Sequence, residues 1–318
     1  GDGRQLVTGG WDNIAREWDL KTGEATATLH GHTKQLVGLA FSSDGKLLAM
    51  TGGDKTARVW NLCSPRPTLW NLCSPRVSAL LHGHLDDMDL CAFSSDGRRM
   101  VTASDDYTAR VWELSSGTST LELAGHTFHV QCAAFSPDGK AIATASKDAT
   151  IRLWDPAGRC TRVLEDGGGA EVNWVAFSPD GKCGTRGAQV HTLVGHTNDL
   201  HAVCVSPDGR TIVTAASDMH VLFFDPEIAQ CVARLPIHRS AVKGVAFSPD
   251  GRMVATACRD KAAHIWSKDR SGEWVCRASL RGQASDVGDV RFSPDGKQLA
   301  SASWDNTCCL WDLSRVLK

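Results

Sequence analysis

No stretch of this chain approaches ~18 consecutive apolar residues, which excludes a membrane-spanning helix read from hydropathy. Charge of one sign is also missing. Basic residues number 34 and acidic residues 36, for a net charge of −2, so the chain lacks the excess needed to coat a phosphate backbone. No CxxC pair occurs, and no cysteine stands at finger-like spacing from a histidine, so the sequence predicts no zinc site. A Gly-rich phosphate loop, an HExxH motif and a nucleophile elbow are absent, and with them the enzyme classes they serve. Tyrosine is almost absent, one residue against 11 tryptophans. The chain starts at Gly1 rather than Met, and no apolar signal segment follows.

What is present is a globular balance, 42% apolar and 22% charged residues. The 318 residues suffice to bury a core without covalent staples. Most of the 12 cysteines lie inside apolar runs such as Leu90-Cys91-Ala92-Phe93, the pattern of small buried hydrophobes in a reducing compartment. An intracellular location, cytoplasmic or nuclear, is therefore expected. No cysteine stands out as a candidate nucleophile.

Length alone suggests about two domains, but an internal period gives a better division. A pentapeptide of the form Phe-Ser-Pro-Asp-Gly recurs from Phe41, Phe93, Phe135, Phe177, Val205, Phe247 and Phe292, with spacings of 52, 42, 42, 28, 42 and 45. Nine residues before each copy stands a Gly-His or its remnant: His32, His84, His126, Gly168, His196, His238 and Gln283. Nineteen residues after six copies stands an aromatic: Trp60, Trp112, Trp154, Phe224, Trp266 and Trp311.

Each period reads as four short strands. In 121–154, Leu121 to Leu123 ends one strand and Val130 to Phe135 is an apolar run. Pro137-Asp138-Gly139 is a turn, because Pro presets φ and Gly accepts positive φ. Ala141 to Ala145 forms the next strand, and Thr150 to Trp154 is rich in β-branched and aromatic residues. No segment has the length and 3.6-residue period of an amphipathic helix. Four strands per ~40–45 residues, marked by Gly-His and Trp-Asp, are the signature of a propeller blade.

On these motifs the chain resembles the WD-repeat (WD40) family over nearly all of 1–313. The resemblance implies an all-β, WD40-type β-propeller of seven blades with the fourth truncated; eight blade positions with defective blades is the alternative. It also implies a role for the repeated polar set. His84, Thr102, Asp106 and Trp112, then His126, Thr144, Asp148 and Trp154, then His238, Thr256, Asp260 and Trp266 would each form a hydrogen-bond relay tying strand connections to the third strand. The same residue types could be mistaken for Thr–His–Asp catalysis. Repetition argues against that, since an enzyme needs one preorganised site. Blade one has Met50 in the Thr position, blade five has Phe224 in the Trp position and blade seven has Gln283 in the His position. Those three blades are expected to open faster than blades two, three and six.

The period breaks in two places. WNLCSPRPTL at 60–69 is followed by WNLCSPRVSA at 70–79, a tandem duplication between the third and fourth strands of blade one. Its Ser-Pro-Arg triplets at Ser64 and Ser74 are candidate sites of proline-directed phosphorylation. In blade four the spacing of 28 is about two strands short, with no relay Asp or Trp. A stunted blade and an incomplete gene sequence both account for this. The chain also begins in mid-repeat, because Thr8, Asp12 and Trp18 match the relay offsets. The resulting division is one domain, 1–318. It holds a partial preceding repeat at 1–23, repeats at 24–60, 77–112, 118–154, 160–193, 189–224, 231–266 and 274–311, and an insertion at 61–76. Residues 24–30 are expected to close on 307–311, leaving 1–19 surplus.

In the family, the residue before each relay Asp projects onto one face, joined by residues two and three after the His. This nominates Trp11, Lys34, Asp86, Asp87, Asp105, Phe128, His129, Lys147, Asp199, Arg259, Asp286 and Trp304 as a partner-binding face. Exposed Trp and Arg among polar residues match an interface hot spot, and the surplus of Asp favours basic peptides or proteins. The expected function is a non-catalytic protein-interaction scaffold with no cofactor and no metal. Substrate receptor for a cullin-type ubiquitin ligase and the WD40 part of a larger regulatory protein are the alternatives. The ligase motif Trp-Asp-x-Arg is approached by Trp18-Asp19-Leu20-Lys21, with Lys in place of Arg. No basic stripe points to nucleic acid, and the oligomeric state is open.

Overall fold

The computed structural model describes residues 5–20, 22–62, 76–165, 171–177, 195–228, 230–235 and 238–316. Among them, strands run antiparallel in seven sheets. The first holds β1 (Gln5–Gly9), β2 (Ala15–Asp19) and β3 (Ala25–Leu29). The second holds β4 (Leu36–Phe41), β5 (Leu47–Gly52), β6 (Thr56–Asn61) and β7 (Arg76–His82). The third holds β8 (Met88–Phe93), β9 (Arg99–Ser104), β10 (Thr108–Glu113) and β11 (Thr118–Ala124). The fourth holds β12 (Val130–Phe135), β13 (Ile142–Ser146), β14 (Thr150–Trp154) and β15 (Cys160–Glu165). The fifth holds β16 (Leu200–Val205), β17 (Ile212–Ala216), β18 (Val221–Asp225) and β19 (Gln230–Arg234). The sixth holds β20 (Val242–Phe247), β21 (Met253–Cys258), β22 (Ala262–Lys268) and β23 (Trp274–Arg281). The seventh holds β24 (Val287–Phe292), β25 (Gln298–Ser303) and β26 (Cys308–Asp312), after which α1 (Leu313–Val316) makes one turn. No helix among the described residues is long and apolar enough to cross a membrane.

The chain divides into two compact units, one holding β1–β15 and the other β16–α1. In the first unit, neighbouring sheets bury apolar faces on each other. Val101, Val111 and Leu123 of the third sheet pack on Val130, Phe135 and Ile142 of the fourth. In the second unit, Val213, Val221 and Phe223 of the fifth sheet pack on Val242, Val245 and Val254 of the sixth. The sixth sheet packs on Val287, Val290 and Leu299 of the seventh.

Two turns recur because their chemistry recurs. In the pentapeptide at Phe135, Ser136 Oγ donates to Asp138 Oδ1 (2.7 Å), and the backbone N–H of Lys140 donates to the same oxygen (3.1 Å). Gly139 closes the loop at φ 67°, a left-handed conformation that a side chain would strain. The second turn joins the second and third strands of each sheet. Immediately after each relay Asp a non-glycine residue stands left-handed: Asn13, Lys55, Tyr107, Ala149, Met219, Lys261 and Asn306, with φ between 66° and 72°. Asp148 supports this turn by accepting from the Thr150 N–H (2.9 Å) and the Thr150 hydroxyl (2.7 Å).

Two expectations change. Residues 25–29 pair with β2, from Ala15↔Leu29 to Trp18↔Ala25, rather than with 307–311. The reason is local: Asp19 accepts the Thr22 N–H through its side chain and the Gly23 N–H through its carbonyl, so the turn folds β3 straight back. The N-terminal segment is thus not surplus but supplies the first of the seven sheets. Among the described residues the fourth repeat adds no sheet, and 171–177 carries no strand. Gly168, residues 178–194 and the duplicated insertion at 63–75, with Ser64 and Ser74, lie outside the described residues.

Candidate functional site

The buried polar sets hold the turns and inter-sheet connections that carry the exposed residues. In the third sheet His84 Nδ1 lies 2.7 Å from Asp106 Oδ2 and His84 Nε2 lies 2.8 Å from Thr102 Oγ1, while the Trp112 indole donates to that hydroxyl at 2.8 Å. The fourth sheet repeats this with His126, Asp148, Thr144 and Trp154 at 2.8, 2.7 and 2.9 Å. Consistent donors require the Nδ1–H of each histidine to face the carboxylate and the threonine hydroxyl to donate to Nε2. Burial pushes the Asp106 carboxyl up, but hydrogen bonds from His84, Thr108 and the Leu85 N–H outweigh it and hold Asp106 well below the usual range. His–Asp–Thr geometry of this kind could be catalytic elsewhere. Here Thr102 and Thr144 are fully buried and each hydroxyl already receives a tryptophan N–H, so no substrate carbonyl can reach them. Burial also drives the Cys91 and Cys258 thiols up to about 12, far from a nucleophilic thiolate.

The other repeats vary this plan. In the second sheet His32 reaches Asp54 (2.9 Å), but Met50 fills the bridging position and leaves His32 Nε2 and Trp60 Nε1 buried with no partner. In the fifth, His196 contacts Asp218 (2.9 Å) and Thr214 (2.8 Å), and Phe224 offers no donor. In the seventh, Ser301 donates to Gln283 Oε1 (2.8 Å) and receives the Trp311 indole (2.9 Å), so Gln283 keeps the inner half of the chain. In the first, Trp18 donates to Thr8 (2.9 Å). The sixth sheet departs from expectation. His238 contacts Thr256 (3.0 Å) and Trp266 donates to Thr256 (3.1 Å), but His238 does not bond Asp260. His264, directly opposite Thr256 in the ladder, places Nε2 3.2 Å from both Asp260 oxygens instead.

The nominated face residues are brought together pairwise by one backbone bond. The residue before the relay Asp donates its N–H to the carbonyl 18 positions upstream: Asp105 to Asp87 (2.9 Å), Lys147 to His129 (2.9 Å), Arg259 to Ala241 (2.9 Å) and Trp304 to Asp286 (3.0 Å). In the first unit this builds a patch. His129 Nδ1 lies 2.6 Å from Asp105 Oδ1, and the Phe128 and His129 rings meet edge-on at 4.3 Å. Tyr107 lies 5.8 Å from Phe128 and 5.5 Å from His129. Phe128 is 40% exposed and Tyr107 42%. Asp86 pairs with Lys55 (3.4 Å) and Asp87 with Lys34 (3.9 Å). Below them Asp89 accepts from Gln131 Nε2 (2.7 Å); burial first, then the neighbouring Asp105, push its carboxyl up to about 7. Trp11 is 81% exposed in the first sheet of this unit.

In the second unit Arg259 Nε lies 2.6 Å from Asp286 Oδ2, and Trp304, whose backbone N–H donates to the Asp286 carbonyl, is 68% exposed. Asp199 accepts the Ser217 N–H through its carbonyl (2.8 Å). Tyr107, Asp89 and Gln131 escaped the sequence reading. Tyr107 follows a relay Asp, and that left-handed position is the signal that could have found it. The Asp surplus also proves less free than composition suggests, since Asp86, Asp87, Asp105 and Asp286 each face a cation or a histidine.

Sheets of this make, repeated on one motif register with a relay in the hairpin, define the class of WD-repeat propellers. Residues 23–61, 75–113, 117–155, 187–225, 229–267 and 274–312 match the WD40 family, described as WD domain, G-beta repeat. The chain belongs to that family, and its fold is the all-β, seven-bladed WD40 propeller. Such propellers are typically non-catalytic interaction scaffolds. Among its relatives, the Target of rapamycin complex subunit LST8 of Saccharomyces cerevisiae is 31% identical over 33% of this chain and 32% of its own length. The Nuclear distribution protein PAC1 of Arthroderma otae is 38% identical over 20% of this chain and 14% of its own. WD repeat-containing protein 37 of Mus musculus is 28% identical over 34% of this chain and 20% of its own. The chain thus spans about a third or less of the curated relatives it matches.

Proposed function

We propose that this chain is a non-catalytic scaffold that binds a peptide or protein segment on the Tyr107, Phe128 and His129 patch of its first unit. The observation that carries this is the exposed aromatic cluster itself. Tyr107 sits in the β9–β10 turn beside Asp106, and Phe128 and His129 in the β11–β12 connection beside His126, so complete relays pin both segments before any partner arrives. A relative named as a complex subunit supports the same kind of role. Because Asp86 and Asp87 already face lysines and Asp105 faces His129, bulk charge is a weak attractant. A basic segment would be recognised instead through an Arg or Lys laid on the Tyr107 and Phe128 rings, where cation–π attraction acts at short range. Arg259, Asp286 and Trp304 form a second candidate surface within the other unit. The cysteine pattern supports a reducing compartment, cytoplasmic or nuclear.

The test is a peptide library of graded charge and aromatic content, applied to the wild type and to a Tyr107→Ala/Phe128→Ala variant. Arg- or Lys-containing peptides should bind the wild type and lose at least about tenfold in the variant, as loss of an aromatic anchor implies. Binding that is unchanged in a variant with wild-type melting would refute the reading.

A further inference from the structure

The sixth sheet breaks the relay in a particular way. Where other repeats carry Ser104, Ser146 and Ser303, it has Cys258. Where the first three full repeats carry Arg58, Arg110 and Arg152 opposite the bridging position, it has His264. The Sγ of Cys258, a carboxylate oxygen of Asp260 and a ring nitrogen of His264 lie within 4.8 Å of one another. Cys258 is fully buried and His264 nearly so.

A second observation points into the same place. His238 is 6% exposed, and its Nδ1 has no hydrogen-bond partner. In the third and fourth sheets the same nitrogen sits 2.7–2.8 Å from the relay Asp; here it does not bond Asp260, which His264 contacts instead. The His238 and His264 rings meet nearly at right angles, 5.4 Å apart. The Met219 carbonyl, which accepts the His238 backbone N–H (3.1 Å), also lies beside the His238 ring. The result is a buried thiol, a carboxylate and an imidazole gathered where other repeats have a closed relay.

We propose that Cys258, Asp260 and His264 bind a zinc-like divalent cation. Sulfur, nitrogen and oxygen donors in one small cluster suit a borderline-soft ion of tetrahedral preference. Donors around such an ion stand roughly 3.3–3.8 Å apart for bonds of about 2.0–2.3 Å. The His264–Asp260 separation of 3.2 Å is just under that range, and Cys258 Sγ, which donates to the Ser240 carbonyl (3.4 Å), lies within 4.8 Å of both. Outer partners that would orient the ligands are present. Ser279 Oγ lies 2.9 Å from His264 Nδ1, and the Arg281 guanidinium lies 3.6 Å from Asp260 Oδ2. Binding exchanges one proton for one metal–sulfur bond: the Cys258 thiol proton passes to solvent and the thiolate donates to the ion. Sequence spacing gave no hint, because the three residues are collected by a hairpin and its ladder register and not by a finger motif.

The experiment uses the full chain, stripped with chelator and titrated with Co(II). One equivalent should produce thiolate-to-cobalt charge transfer and the intense visible bands of tetrahedral cobalt, and one equivalent of Zn(II) should erase them. Two variants restore the residues of sibling repeats, Cys258→Ser and His264→Arg, so both should fold. Cys258→Ser should lose the charge-transfer band, and each should weaken binding by more than about tenfold. Cys160, Cys231 and Cys276 are exposed, so a cobalt signal that persists unchanged in both variants would assign the metal to surface thiols and overturn the proposal. No stoichiometric uptake by the wild type would overturn it as well.

Discussion

At the scale of single residues, the threonine hydroxyl is the hinge of each relay, and its worth depends on how many buried groups it satisfies. Thr144 serves both His126 Nε2 and the Trp154 indole, whereas Thr214 serves His196 beside a phenylalanine. An unsatisfied buried polar group costs about 1–3 kcal/mol. Thr144→Val should therefore lose roughly 2–4 kcal/mol and Thr214→Val about half of that, measured by denaturant unfolding. Equal losses would mean that packing, not hydrogen bonding, decides these positions. Asp89 gives a pH-dependent counterpart. Its folded carboxyl is raised toward neutrality by burial and by Asp105, so the stability it permits is greatest in acid and falls as pH rises from the ordinary carboxylate range to about 7. Asp89→Asn removes that dependence. Its melting-temperature gain over wild type should grow between pH 5 and pH 8 and then level off; a gain independent of pH would contradict the assignment.

At the scale of elements, the hairpin between second and third strands concentrates both strain and function. A left-handed residue follows every relay Asp, and only Asn13 and Asn306 are residue types that tolerate it well. Ala149→Asn should stabilise by roughly 0.5–1 kcal/mol, since the Asp148 bonds to Thr150 already fix the turn. Destabilisation in thermal unfolding would show that the Ala149 methyl makes contacts that matter more than its backbone. These hairpins were legible in sequence, since Asp148 and its siblings stand at a fixed offset from the pentapeptide. The pairing of β3 was not. Its partner depends on the Asp19–Gly23 turn, whose capping bonds look like any polar loop in sequence. The sixth relay was equally hidden. His264 faces Thr256 only through ladder register, and a reading of motif offsets counts His238 and Asp260 as an intact pair. The expectation that repeat six is as tight as repeats two and three is revised accordingly, because the His238–Asp260 link is missing and His264 takes Asp260 instead.

At the scale of the molecule, near-neutral charge and a repeated relay leave the hairpin faces as the place where chemistry differs from repeat to repeat. Structural positions repeat, while Asp105, Lys147, Arg259 and Trp304 occupy equivalent slots with unlike side chains. That pattern is what a binding surface needs and what a core cannot tolerate. The face positions were readable from their offset to the relay Asp. Their electrostatics were not, because pairings such as Lys55–Asp86 arise between neighbouring sheets. The central claim is that partners dock on the aromatic patch of the first unit. Amide hydrogen exchange of the full chain, with and without the tightest peptide from the library, tests it most directly. Protection should rise at 85–89, 105–108 and 127–131. Protection confined to the outer strands at 118–124 and 160–165, with those three segments unchanged, would contradict it.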